Sequence, residues 1–320
     1  QIDASGTASD PIIFTSETDD ISDPVDQLEG GDPDRGQWGG LIVLGEASTN
    51  QRDGQGNIIY NNQVEGIDPA NNPALFGGGS ASNENDQDDS GTLQYVSIRY
   101  GGFAIGAGDE VNGLTLGAVG RGTTIDHIEV YANDDDGVEW FGGTVHADHL
   151  LTAYVGDDGF DYDQGYRGTG QFWATIHDTD EAGRSGEHDG SDAGTLSDTP
   201  YARPVISNAT YIGSGQNANP SGDGNNSTLQ MRDFAGGEYY NSVFTDAPNI
   251  AVNLNDDGTG ENYENNDLVY ENNAFYGFDA GDTFPFSSLL LLHVDDFASG
   301  LDPRAVFLRA GGVGDTEPER

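Results

Sequence analysis

Carboxylates recur along this chain at a spacing that could hold a cation or move a proton. Asp135, Asp136 and Glu139 are repeated 22 residues later by Asp157, Asp158 and Asp161, with Asp134 and Asp163 alongside and Asp178 and Asp180 further on. If that spacing marks neighbouring rungs about 4.8 Å apart, equivalent acids are forced together. Like charges so close take up protons, a cation or abundant water. Oxygen-rich Asp turns bind Ca²⁺, so Asp135, Asp136, Glu139, Asp157, Asp158, Asp161 and Asp163 are the metal-ligand candidates. Paired carboxyls, one donating a proton and one activating water, are also the arrangement of glycosidases. In that reading Asp157, Asp158, Asp161, Glu187 and His188 are the catalytic candidates, with Arg167 and Arg184 available to a ligand. The structural alternative is a set of hydrated Asp-Gly turns.

Aromatic and imidazole side chains offer further chemistry. His127 and His149 share the same 22-residue spacing, each after an Asp, which predicts a surface ladder of stacked imidazoles; a two-His, carboxylate metal site is the other use of such a group. Trp140 alternates with Glu139 and is expected in the core. Trp173, set one period beyond Leu151 and Glu129, is expected outside, where a flat apolar ring could carry a sugar. Trp38 lies outside the clear repeat.

The element that positions these residues is written in the repeat itself. Asp126-His127-Ile128 returns as Asp148-His149-Leu150, and Asp135-Asp136-Gly137 as Asp157-Asp158-Gly159. The register continues from Val138, Glu139 and Trp140 to Phe160, Asp161 and Tyr162, and one further step sets Phe172 under Leu150. Fixed-period similarity of this length marks a solenoid. Short alternating runs such as Ile128-Glu129-Val130 are strand patterns rather than helical stripes. With 48 glycines in 320 residues to supply corners, the expectation is an all-β chain forming a right-handed parallel β-helix of about 22 residues per rung with long loops. Leu93–Tyr100 reads as an earlier rung. Asn208-Ala209, Asn241-Ser242 and Asn273-Ala274 read as later ones, spaced 33 and 32 residues apart. Loops are placed near 181–203 and 213–226. A possible cap occupies 1–35, the β-helix 36–297, and a C-terminal segment or tail 298–320.

Composition narrows the partners. Eleven basic residues, all Arg, against 56 acidic ones give a net charge of −45. That balance argues against nucleic acid, which needs clustered cations. It suits a surface kept hydrated in strong salt, where screening acts within about 3 Å at 1 M, and it equally suits a chain loaded with calcium. Without cysteine there are no disulfides or thiolate metal sites. No apolar run approaches the ~20 residues of a membrane span; the longest, Leu289–Leu292, reads as a buried strand. No leader peptide stands at Gln1, which leaves a cytosolic or an already processed chain.

Several segments together resemble a family of exported bacterial β-helix proteins, often lipoproteins or cell-surface proteins. They are QWGGLIVLGEA (37–47), SGTLQYVSIRYGG (90–102), NGLTLGAVGRGT (112–123), DDGVEWFGGTV (135–145), GDDGFDYDQGYRGTGQFW (156–173), GEHDG (186–190) and NATYIGSG (208–215). The resemblance spans about residues 36–280 and implies a β-helix and a secreted or cell-surface location, but no established activity. Relatives with a lipid-bearing cysteine differ here, since this chain has none. The fold is also similar to that of pectate-lyase-like enzymes, which implies Ca²⁺ bridging acidic sugars and a basic residue abstracting a proton; with no Lys, only Arg could serve. The Gly-His-Gly and Arg-Ile-Lys motifs of polygalacturonase-like enzymes are missing.

The sequence therefore leads to a secreted or cell-surface, salt-adapted, calcium-loaded β-helix acting as a structural or glycan-binding module. A polysaccharide lyase or glycoside hydrolase built on the carboxylate cluster is the alternative. A third reading is a subunit of an extracellular assembly, since a β-helix has open edges at both ends unless capped.

Overall fold

The computed structural model describes residues 1–22, 34–64, 67, 74–104, 111–179, 181–191, 198–221, 227–248 and 250–278, with the backbone alone of 305–309. In chain order the elements are β1 (Ile2–Ser5), β2 (Ile12–Phe14), β3 (Leu41–Leu44), β4 (Asn62–Gln63), β5 (Leu75–Phe76), β6 (Gly91–Arg99) and β7 (Leu114–Gly117). There follow β8 (Thr124–Tyr131), β9 (Val138–Phe141), β10 (His146–Ala153), β11 (Phe160–Asp163), β12 (Thr169–Ile176) and β13 (Gly186–Asp189). The last third holds β14 (Val205–Ser207), β15 (Thr210–Ile212), β16 (Ser227–Arg232), β17 (Gly237–Tyr240), β18 (Val243–Ala247), β19 (Ile250–Leu254), α1 (Asp257–Glu264), β20 (Leu268–Phe278) and β21 (Ala305–Arg309).

These strands wind into a parallel β-helix. Successive coils contribute to a 12-stranded sheet running from β1 and β2 through β6, β8, β10 and β12 to β20, and to a 7-stranded sheet in the order β19-β16-β13-β11-β9-β7-β3. Neighbours within both are parallel, except that β21 joins β20 antiparallel. Residues 2–14, within the segment assigned to a cap, add two short strands to the edge of the first sheet. Of the C-terminal segment only β21 falls among the described residues, and Leu289–Leu292 and Asp180 lie outside them.

A residue in the left-handed region recurs at one position of the first sheet in seven successive coils. Gln94, Asp126, Asp148, Gln171, Ser207, Tyr240 and Glu271 share one row, and the residue after each, Tyr95, His127, His149, Phe172, Asn208, Asn241 and Asn272, has φ between 50° and 59°. The kink interrupts the two-residue alternation, so two side chains in succession stand outside before the strand resumes its inward beat. Asn241 consequently aligns with Asn272, and Val243 pairs with Ala274, a step of 31 where the sequence suggested 32.

The interior is filled by rows of apolar and aromatic side chains. Trp140 and Trp173 stack with centroids 4.8 Å apart and planes 8° from parallel, and the Trp173 indole donates to the Ala147 carbonyl at 2.7 Å. Trp173 is thus core, not a surface platform. The turn from Asp163 to Thr169 holds five residues where the one from Phe141 to His146 holds four, so Leu150 pairs with Trp173 and the step becomes 23. One added residue exchanges inside for outside. By the same shift Phe172 lies over His149 rather than Leu150. Trp38 packs against the core and donates to the Arg99 carbonyl at 2.7 Å.

Candidate functional site

The Asp-Asp-Gly repeat first performs a structural task. Asp136 Oδ1 accepts the backbone N–H of Asp158 at 2.9 Å, and Asp158 Oδ1 in turn accepts the N–H of Arg184. Each aspartate therefore caps the coil after its own. Glycine must follow, because a Cβ at Gly137 would sit 2.4 Å from Thr152 Cγ2, and one at Gly159 would sit 2.6 Å from Thr175 Oγ1. Asp136 and Asp158 are buried, at 8% and 3% exposure. Burial first, then Asp135 and Asp158 beside Asp136, and Asp157 and Glu187 beside Asp158, push both carboxyls well above the usual range.

Asp158 is consequently a rung fastener rather than an accessible catalytic acid, which corrects the sequence expectation. Asp158→Asn keeps the acceptor and removes a costly buried charge, so stability near neutral pH is expected to stay level or rise. Asp158→Ala strands the Arg184 N–H, at a cost of about 1–3 kcal/mol. Urea unfolding of both variants at pH 7.5 decides the point; equal losses would refute the capping role.

The outward row of the second sheet gathers three partly buried acids. Thr115, Glu139, Asp161, Glu187, Gln230 and Asn253 follow one another from β7 to β19, so three carboxylates occupy three successive rungs. Asn112 donates to Glu139 Oε2. Glu187 is held from several sides: Oε1 accepts from Arg184 Nη1 and from Gln230 Nε2, each at 2.6 Å, and Oε2 lies 3.0 Å from Arg232 Nη2. Arg232 also forks onto Asp189 at 2.6 and 2.9 Å. Burial works against the Arg232 charge, but Asp189, Glu187 and Asp161 outweigh it and keep the guanidinium protonated. Burial raises Asp189 to about 6 despite Arg232.

Between these anchored neighbours, Asp161 keeps Oδ1 buried with no hydrogen-bond partner. Its burial, then Glu139, Asp136, Asp189 and Glu187, drive its carboxyl well above the ordinary value. Ligand oxygens of Asp136, Glu139 and Asp161 lie within 4.8 Å of one another, as do those of Asp135, Asp136 and Asp157 in the adjoining turn. A hard cation would find oxygen donors there from two rungs and a turn. Asp163 stands two residues further along β11, where its carboxylate accepts the Gln164 N–H.

Other sequence candidates fall elsewhere. Glu187 and His188 belong to strand β13 rather than to a loop, and they face opposite ways. His188 points into the core, stacked 4.0 Å from Tyr162 and 5.9 Å from Tyr239, and fully buried; burial lowers it to about 3. It is no surface acid or base. Arg184 meets the acid row, as described, whereas Arg167 sits past the far end of β11. There it donates to Ser48 Oγ, to Asp86 Oδ2 at 2.7 Å and to the Gly165 carbonyl at 3.1 Å, tying two loops together.

A family model described as a pectate-lyase like beta helix domain matches residues 1–284. The chain belongs to that family. Comparison with curated proteins gives no match, and comparison with solved structures gives none either. In this pectate-lyase-like chain, Asn112, Gln230, Arg232 and Asn253 join the site without having been singled out by the repeat. Their coils are swollen by loops, so Asp189 pairs with Arg232 at a step of 43. The alternation Leu229-Gln230-Met231-Arg232 was the usable signal.

Proposed function

We propose that the protein handles polysaccharide on the outer face of the second sheet, with Asp136, Glu139 and Asp161 binding Ca²⁺ beside the Arg184, Glu187 and Arg232 cluster. The observation that carries this reading is Asp161, whose buried Oδ1 lacks a partner among three converging carboxyls. Burying that much negative charge unpaired is expensive, and a divalent cation offsets it. The bound ion and the two guanidiniums then offer positive charge to acidic or hydroxyl-rich sugars on a strongly acidic molecule. Family membership supports the glycan as ligand class. A secreted or cell-surface setting, where millimolar calcium and polysaccharide coincide, fits the same reading, and the −45 charge without lysine fits strong salt. No helix among the described residues is long and apolar enough to cross a membrane.

A second reading, hydrolysis, is favoured by the contrast between Asp161, whose carboxyl is pushed toward the protonated form, and Glu187, which pairs with two arginines. Such a pair can supply an acid and a base. Elimination is less well served, since Arg232 is held protonated by its acidic neighbours.

The test is calorimetric titration of Ca²⁺ and of neutral and acidic polysaccharides in 0.1 and 3 M NaCl, with product mass spectrometry. Wild-type protein should bind Ca²⁺ and gain thermal stability from it and from salt, while Asp161→Asn should weaken Ca²⁺ at least tenfold. New oligosaccharides that carry one added water per bond broken and vanish in Asp161→Asn would establish the hydrolase. Unchanged calcium binding in that variant would sink the site.

A further inference from the structure

The first sheet carries a second constellation, on the outside of the kinked column. Tyr95, His127, His149 and Phe172 stack in sequence with centroids 4.3, 4.2 and 5.0 Å apart. The imidazole pair is thus bracketed by two aromatic rings. Asp126 reaches across the pair: its Oδ1 lies 2.8 Å from His127 Nδ1 and 2.9 Å from His149 Nδ1. Its other oxygen accepts from Gln94 Nε2 at 3.1 Å, which fixes the carboxylate's orientation.

Only the His149 contact is aligned as a hydrogen bond. His127 Nδ1 is shut off from solvent and has no hydrogen-bond partner, although the carboxylate oxygen is close. Three donor atoms, two nitrogen and one oxygen, therefore converge within 4.8 Å with one of them unsatisfied. In this arrangement the carboxylate oxygen serves His149 and leaves the His127 nitrogen unpaired, whereas a metal ion would engage both nitrogens and the oxygen.

We propose that Asp126, His127 and His149 form a site for a divalent transition ion of the copper(II) or zinc(II) class, separate from the oxygen-only acid row. Imidazole nitrogen selects these ions over Ca²⁺ and Mg²⁺, and affinity peaks at copper. Gln94 acts as the outer-shell support that such ligands commonly have. Two stacked rings share one ion only after turning out of the stack, and the side chains are 37% and 44% exposed, which leaves them room to do so. Solvent completes the coordination, so the ion stays open to an exogenous ligand.

Copper(II) is the probe. One equivalent is added to the full chain in excess Ca²⁺, which occupies carboxylate sites, and electron paramagnetic resonance reads the ligands. The expected spectrum carries nitrogen hyperfine structure from two imidazoles. His127→Asn and His149→Asn, residues that suit a positive φ, should each remove one nitrogen and weaken copper at least tenfold while leaving the circular dichroism unchanged. An oxygen-only spectrum, or a two-nitrogen spectrum that persists in the double variant, would overturn the proposal. Because calcium binding and glycan binding are read separately at Asp161, failure here leaves the acid-row reading standing.

Discussion

Trp173→Ala is expected to lower the unfolding free energy by about 3–5 kcal/mol, the cost of removing a large buried side chain. Three losses combine in that number. The stacking on Trp140 and the tilted contact with Phe160 disappear, the Ala147 carbonyl loses its indole donor, and a cavity opens inside the coil. Gly170 shows how closely the space is fitted, since a Cβ there would lie 2.3 Å from the Trp173 ring. Urea denaturation followed by Trp fluorescence measures the effect. A loss below about 1 kcal/mol would mean that the indole stands outside the coil.

Acid should unfold the protein through its buried imidazoles. Burial lowers His177 to about 4 and His188 to about 3, from 6.5. Folded pKa values below the unfolded ones mean that the contribution of these two histidines is complete above pH 6.5 and drains away as pH falls through those values. At about 1.4 kcal/mol per unit, His177 puts roughly 3–4 and His188 roughly 5 kcal/mol at stake. The carboxyls of Asp136, Asp158 and Asp161 act in the opposite direction, as does Asp189 at about 6. Their raised values favour the fold below pH 3.8 and lose that contribution as pH rises through them. His188→Phe separates the two effects, because it removes only the imidazole from the acid limb. Its unfolding free energy should fall several kcal/mol less than wild type between pH 6.5 and 3; parallel profiles would show that His188 is not held neutral.

The architecture was legible where coils are uniform. The 22-residue step from β9 to β11, which carries Asp135 onto Asp157 and Glu139 onto Asp161, follows directly from the Asp-Asp-Gly repeat. Legibility ended where a turn grew. A single residue between Asp163 and Thr169 reversed Trp173, and the longer excursion between Asp189 and Arg232 hid a guanidinium that completes the acid row. The split between Glu187 and His188 was hidden for another reason: Gly186-Glu187-His188-Asp189 is so polar that its strand alternation is hard to see, and only the pairing of His188 with Tyr162 and Met231 reveals which face is core. Nor does sequence distance disclose that Asp158 spends its carboxylate on the next coil's backbone. That use depends on a hydrogen bond across rungs.

The left-handed column has a consequence for how such a molecule can change. Backbone shape at Tyr95, His127, His149, Phe172, Asn208, Asn241 and Asn272 is fixed by the winding, while each side chain projects away from the packed interior. Chemistry at these seven points is therefore decoupled from folding: phenol, imidazole, phenyl and carboxamide already occupy equivalent stations about 4.8 Å apart. The column works as a ruler on which functional groups can be rewritten one graduation at a time, and inserting a whole coil lengthens the ruler without disturbing the marks on either side.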